Sequence, residues 1–527
     1  MHGIDTQVFT PVLPGLTVRS VMGRKSPLRT HIVVQGINPG LSVVSHNNSI
    51  KNLTRGVAER VLFRKGEDGV YRRAPQPAVG LFGARLGAFR TLLLRRLPST
   101  TPVAMEEVPG MYTGRKRRLY QEAVDSLQLL PITGRDAEVR VFVKREKIEM
   151  PSGRDKAPRI ISPRSVRYNV VLGRYLKPAE KLLFIGINKV WGGVTIAKGL
   201  NMSERGDLIA SKWQRFRNPA AVGADATRFD QHVSDQALSY EHSIYNAWFR
   251  SRELRRVLRM QLVNVGIGNC PDGSLRYEVR GCRMSGDMNT SMGNCLLMCA
   301  MMYAYCMEVG VDADLINDGD DCVLFMETVD LPRFSIGFQG WFLEMGFDMK
   351  VEDPVFELEK VVFCQSQPVH VGGGRYIMVR NPSMTMAKDS VALVPFSHPL
   401  SAAAWLGALS DAGCAMYGGI PVLHSFYKML GRSGIRCAKL EKEYDFWWYK
   451  TRSRDMTRHD CITLSETRYS FYIAFGILPD EQIEIEHLLD QTTINSSKPA
   501  LPIQLPQDGP EEIKEILRYA RESAASC

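Results

Sequence analysis

The order of apolar and polar positions along this chain predicts helices alternating with short strands. Apolar residues recur at helical spacing over 168–183 and over most of 234–260, while 289–308 carries an apolar run from Leu296 to Met307. That run is too short to span a bilayer and is expected to be a core helix, so no direct membrane span is predicted. Residues 222–225 suit a short buried strand. Residues 313–317 and 322–326 suit the two arms of a hairpin, 331–346 reads as helix leading into Phe347-Asp-Met-Lys350, and 361–364 as a further strand. Helices packed on one face of a small, mostly antiparallel sheet define the α+β class.

The flanks are less regular. Residues 1 to about 55 mix Gly, Pro, Ser and Asn with short apolar runs and show no helical period, so irregular structure is expected there. Over 80–96, Leu81, Phe82, Leu86 and Phe89 interleave with arginines, which fits a basic amphipathic helix that either packs on the surface or meets RNA, lipid or a partner. The tail turns polar and Pro-rich at Asn495, and 510–525 reads as a short helix on a tether.

The hairpin carries the candidate chemistry. Its turn contains Gly319-Asp320-Asp321, where glycine permits the reversal and the two carboxylates are expected to face opposite sides. A lone Gly-Asp-Asp is usually a surface turn, and a two-metal centre needs another carboxylate. Asp225, at the end of the 222–225 strand and 95 residues before Asp320, supplies one, with Asp230 five positions on. Between them, Ser285-Gly286 opens a helix on which Thr290 and Asn294 share a face at i, i+4. Those groups suit recognition of a ribose and its pairing partner, or the loop is an ordinary helix start capped by Ser285 or Asp287.

In this order, Asp225-x4-Asp230, Ser285-Gly286-x3-Thr290-x3-Asn294 and Gly319-Asp320-Asp321 resemble motifs A, B and C of the RNA-dependent RNA polymerases of positive-strand RNA viruses. The 142–147 stretch Phe-Val-Lys-Arg-Glu-Lys, with Ala157-Pro-Arg-Ile-Ile-Ser-Pro-Arg164, is similar to motif F of the tombusvirus and umbravirus type, and Phe363-Cys-Gln-Ser366 to motif E. The likeness covers roughly residues 110–450. It implies a right hand with an N-terminal extension over 1–100, fingers over 101–220, a palm over 221–366, a mainly helical thumb over 367–494 and a tail over 495–527. It also implies templated RNA synthesis from nucleoside triphosphates. Asp225 and Asp320 would hold two Mg²⁺ ions (or Mn²⁺), with Asp321 as a supporting ligand and Lys350 as a motif D general acid. Asp230, Ser285, Gly286, Thr290 and Asn294 would surround the ribose. Lys144, Lys147, Lys156, Arg159 and Arg164 would meet triphosphate or RNA, Arg159 foremost.

Composition agrees with that resemblance. The net charge is +11, and residues 54–164 hold all of it, with 23 Lys plus Arg against 12 Asp plus Glu, as suits contact with a polyanion or a solvated basic face. The 11 cysteines lie at or beyond Cys270 without zinc spacing, which reads as reduced thiols. The resemblance further implies an auxiliary viral replication protein and host factors as partners, in membrane-associated replication complexes of the host cytoplasm. The alternatives are a non-catalytic RNA-binding replication factor, and a reverse transcriptase. The latter is disfavoured by the glycine before the Asp pair and by polar Asp230 where a bulky sugar-excluding side chain is usual.

Overall fold

The structure, a computed structural model, describes residues 2–37, 43–149, 155–393, 396, 398, 400–437, 447–496 and 503–504. The helix expected over 510–525 lies outside them.

A four-stranded antiparallel sheet, in the order Ala313–Asp318, Asp321–Glu327, Pro219–Ala226, Met349–Val351, stands at the centre. The hairpin arms pair from Ala313 with Met326 through Asp318 with Asp321, one residue longer on each side than the apolar pattern predicts. Alternation sets the two faces of the sheet. Val222, Ala224, Leu324 and Met326 bury against the Thr290–Val309 helix and its neighbours Leu81–Arg96, Val166–Trp191 and Asp235–Phe249. Ala221, Val323 and Phe325, on the other face, join a second core with the Met202–Trp213, Ser401–Tyr417 and Leu423–Arg432 helices. Helices therefore cover both faces, where the pattern predicted one.

Thr290–Val309 is long and apolar enough to cross a membrane, yet most of it is buried inside the protein. Leu296, Leu297, Met298, Met301 and Met302 are all fully buried. Each such side chain contributes about 1.5–3 kcal/mol on leaving water, which makes this helix the spine of the core.

A second sheet has the order Leu16–Ser20, Gly273–Arg280, Val263–Cys270, Val139–Val143, Ile160–Ile161. Its first strand corrects the expectation of irregular structure before residue 55. That segment is woven into the sheet, pairs Ile32–Val33 with Val391–Ala392, and ends in a helix, Ile50–Val57, capped by Ser49. Two-residue strands carry no readable period, which is why the pattern hid them. The expected 80–96 helix is present as Leu81–Arg96, its Phe82, Leu86, Phe89 and Leu93 buried in the main core, so the packed-surface alternative holds.

Three further boundaries move for local reasons. The 234–260 helix divides at Arg250, whose φ of +51° ends Asp235–Phe249 before Ser251 caps Arg252–Arg259. The 331–346 helix divides at Gly337, with φ +82°. Residues 361–364 are not a strand. Phe363 and Ser366 instead exchange two backbone hydrogen bonds across Cys364 and Gln365, at φ +51° and +61°, and the strand Ser366–His370 starts after this turn.

Candidate active site

Strand register assembles the carboxylates. Ala224 pairs with Cys322, which sets Asp225 beside Asp321 at the open end of the sheet, and on its other side Asp225 is the register partner of Lys350. Asp225 and Asp321 thus share a face, and Asp320 occupies the turn with Gly319 at φ +92°. Asn317 fixes that turn: its amide donates to the carbonyls of Gly319 at 2.8 Å and Asp321 at 3.1 Å and accepts from the Gly319 N–H at 3.2 Å. Asp225, Asp230 and Asp320 line one cavity of about 620 Å³.

Charge is distributed unequally across the hairpin. Asp318 is buried and paired with Lys198 and Arg205, and with Arg452 at 3.5 Å. Burial opposes its ionisation, but Lys198 and Arg205 overcome that and hold its carboxyl well below the usual range. Asp225, Asp320 and Asp321 form no ion pair with any described residue. Desolvation, then Asp230, raises Asp320, while desolvation, then Asp320 and Asp318, pushes Asp321 up to about 6. Glu352 is raised by burial and by Asp225, and its carboxylate lies over Gly223, where a Cβ would meet it at 1.9 Å.

Carboxylates that form no ion pair with a described residue fit a divalent ion with hard oxygen ligands. Among the described residues, no three Asp, Glu, His or Cys side chains converge closely enough to chelate an ion unaided. Mg²⁺ needs only one or two carboxylates when phosphate and water supply its other ligands.

Beside the carboxylates lies a polar network. Asp230 accepts from Ser285 Oγ at 2.7 Å and from Asn294 Nδ2 at 2.8 Å, and Asn294 Oδ1 accepts from Arg283 Nε at 3.1 Å. Arg283 is itself buried in an ion pair with Glu241. Thr290 stands outside this network and donates to the Met284 carbonyl, bracing the loop. Neither Ser285 nor Asp287 caps the helix, because Asn289 holds the cap position. Gly286, at φ +122°, packs against the backbone of Ser162 and Pro163, where a Cβ would sit 3.1 Å from the Pro163 nitrogen.

The five basic residues expected at the triphosphate separate. Lys156 and Arg159 line the carboxylate cavity. Lys144 pairs with Glu146 at 2.9 Å, and Lys147 donates to the Lys388 carbonyl at 2.6 Å and lines an adjoining chamber. Arg164 requires a correction. It is buried, binds Asp287 through two nitrogens, and donates to the Ala137 carbonyl and the Asn264 amide oxygen. Its position in a run of basic residues concealed a structural strut. Sequence reasoning missed Arg60, which belongs to no recognisable motif, and Arg228, which fills an unspecified position of the Asp225-x4-Asp230 spacing; both also line the cavity. Burial, then Arg228 and Arg159, lowers the Arg60 guanidinium to about 10.

An α+β molecule whose central sheet presents unpaired carboxylates to a basic cavity falls in the class of nucleic-acid polymerases. Residues 19–497 match the viral RNA dependent RNA polymerase family, and the chain belongs to it. The family implies the right-hand polymerase fold, with which the mixed helix and sheet architecture agrees. The chain is 43% identical over 491 residues to the RNA-directed RNA polymerase of Tobacco necrosis virus (strain A), covering 93% of this chain and 67% of that protein. It is 41% identical over 494 residues to that of Turnip crinkle virus, covering 93% and 63%, and 41% identical over 467 residues to that of Cymbidium ringspot virus, covering 88% and 56%. The chain therefore spans about two thirds of these relatives' length or less.

Proposed function

We propose that this chain copies RNA from an RNA template by transferring nucleotides from ribonucleoside triphosphates, as the names of its relatives state for those proteins. The observation that carries this reading is a contrast within one sheet: Asp318 is neutralised by three cations, whereas Asp225, Asp320 and Asp321 form no ion pair with a described residue, and Asp225 and Asp320 face a cavity that Lys156 and Arg159 also line.

In this reading Asp225 and Asp320 hold Mg²⁺ (Mn²⁺ also fits the oxygen donors), and Asp321 supports them. When bound, the ions supply Lewis acidity to the attacking hydroxyl and the leaving pyrophosphate. Arg159 and Lys156 grip the triphosphate, the first as a planar fork and the second as a point charge. The network of Asp230, Ser285 and Asn294 offers a preset hydroxyl and amide to the ribose 2′-hydroxyl, the group that separates RNA from DNA precursors. Lys350, the cross-strand partner of Asp225, serves in this reading as the proton donor to the departing phosphate. Fingers, palm and thumb divide near residues 220 and 366, and auxiliary viral and host proteins bring the enzyme to membrane-bound replication complexes in the host cytoplasm.

The test is incubation of the purified chain with a short RNA template, four ribonucleotides and Mg²⁺ or Mn²⁺, beside Asp320→Ala. Product from the unmodified chain alone supports the reading. Equal product from both would overturn the assignment of Asp320, and tight salt-sensitive RNA binding without product from either would favour an RNA-binding factor.

A further inference from the structure

The Ser465–Phe475 and Pro479–Gln491 helices are held together by Arg468, which donates to the Glu486 carboxylate at 2.7 and 3.0 Å and whose carbonyl accepts from Gln482. Phe471 and Ala474 of the first, and Ile485, Leu488 and Leu489 of the second, face the interior. The outer side is not polar throughout, as a solvated helix pair would be. Tyr469 is 62% exposed, Ile483 51% and Leu478 47%, and Tyr472 is exposed with its ring 6.3 Å from that of Tyr469. Charge also sets this pair apart: residues 465–491 hold six carboxylates, one arginine and one histidine in a chain of net charge +11. Asp480 and Glu481 suit the first turn of their helix, and Glu486 is neutralised by Arg468. Glu484 has no such account. It is exposed next to Ile483 and forms no ion pair with any described residue. An exposed apolar patch that bears tyrosines and an acidic surround suits a cationic protein surface, and its sign repels RNA and anionic lipid.

The complement lies on the same chain. The Gly114–Leu129 helix packs inward through Tyr120, Ala123 and Val124, and outward it exposes Arg115, Arg118 and Leu119, which share a face at i, i+3 and i+4. Lys116 lies over the Tyr112 ring at 4.5 Å. Arg115, Arg117 and Arg118 form no ion pair with any described residue, although Glu122 and Asp125 follow on the same helix. Cations in the first turn oppose the helix dipole, so this cluster weakens the helix that carries it. No ion pair joins the cluster to the acidic helix pair within one chain, among the described residues. Arginine against exposed tyrosine adds cation–π attraction to that of opposite charge.

We propose that the basic face of the Gly114–Leu129 helix docks on the acidic, tyrosine-bearing helix pair of a second copy of this chain, with Arg118 toward Glu484 and Leu119 among Tyr469, Tyr472 and Ile483. The two surfaces differ, so the contact is head to tail and every chain offers one of each. Association of this kind is steered by charge, weak and salt-sensitive. Neither surface includes a residue that lines the carboxylate cavity, so the inference stands apart from the polymerase reading.

The test is sedimentation velocity of the whole chain, freed of RNA by nuclease, from about 1 to about 50 μM and at about 50 mM and about 500 mM salt. The average mass is expected to rise with concentration at low salt and to return to that of the monomer at high salt. Glu484→Arg and Arg118→Glu are each expected to weaken association by about tenfold or more and to melt with the unmodified protein, because both side chains are exposed. An equimolar mixture of the two variants is expected to associate again. The mixture joins an intact basic face to an intact acidic one, and a reversed face to a reversed face. A chain that stays monomeric throughout overturns the proposal. So does a loss confined to Glu484→Arg, which would leave the acidic pair to another cationic partner. Weaker RNA binding by Arg118→Glu with association unchanged would make the basic face an RNA contact and overturn it as well.

Discussion

Arg164→Ala tests most directly whether burial or motif position decides what a basic residue does here. The Arg164 side chain is 1% exposed and that of Asp287 4%, with Nε–Oδ1 at 2.5 Å and a second nitrogen 3.1 Å from Oδ2. Truncation leaves the Asp287 carboxylate buried without its cation and removes donors from the Ala137 carbonyl and the Asn264 amide oxygen. Removing one partner of a buried pair costs about 3–5 kcal/mol, mostly the desolvation of the charge left behind. At about 2.1 cal/mol/K of unfolding entropy per residue, a chain of this length carries roughly 1.1 kcal/mol/K, so the melting temperature should fall by about 3–5 °C. Arg159, 57% exposed and 3.3 Å from Glu146, provides the control. Arg159→Ala should melt with the unmodified protein and raise the KM for nucleoside triphosphates. The assays are thermal melting and primed incorporation at a temperature where both variants are folded. Arg164→Met combined with Asp287→Leu, which removes both charges and fills the space, should recover at least about half of the lost stability. An Arg164→Ala protein that melts normally but binds triphosphate poorly would refute the reasoning.

Raised carboxyls predict a metal-dependent acid limit: with Asp321 pushed to about 6, incorporation at low Mg²⁺ should fall as pH drops through about 6, and the midpoint should move down as Mg²⁺ is raised. A midpoint indifferent to Mg²⁺ in a pH–rate series would exclude Asp321 as its source. In the metal-free chain the same group contributes stability below the ordinary carboxylate range that is lost as pH rises through about 6, so Asp321→Asn should raise the melting temperature at pH 7.5 in chelator, and no rise would count against crowding of the carboxylates. Asn294→Ala frees Asp230 and Arg283 from their shared partner and should relax ribonucleotide preference by about tenfold, read as the ratio of rNTP to dNTP incorporation in primer extension; an unchanged ratio would remove Asn294 from sugar selection.

What the sequence made legible was local and periodic. The hairpin around Gly319 could be placed to within a residue because its arms are apolar and glycine marks the turn, and Thr290–Val309 because it is apolar all round. Asp225, Asp230 and Asp320 could be brought to one cavity in advance because motif order stood in for distance. Partners separated by long stretches of chain were not legible. Nothing near Arg164 announces Asp287, 123 residues away, and nothing near Asp318 announces Lys198 or Arg205. Motif reading assigned charges by type, whereas the fold divides them into those it neutralises and those it leaves open. The turn at Cys364 and Gln365 was missed for a different reason, since positive φ at two successive non-glycine residues contradicts local preference and is imposed by the flanking backbone pairing.

That division into neutralised and open charges is where fold and chemistry meet. Buried ions that support the frame are paired at Asp318 with Lys198 and Arg205, Arg283 with Glu241, Arg164 with Asp287, and Arg380 with Asp389. Asp225 and Asp320 form no ion pair with a described residue, nor do Arg60 and Lys156, and all four line one cavity. Facing one cavity without pairing, each set destabilises the empty protein by like-charge repulsion, and each would be relieved by one half of a metal-bound nucleoside triphosphate. Binding energy is therefore largest for a ligand that carries both charges at the right separation. A bare cation or a bare polyphosphate relieves one set alone and should stabilise the chain less than the two together.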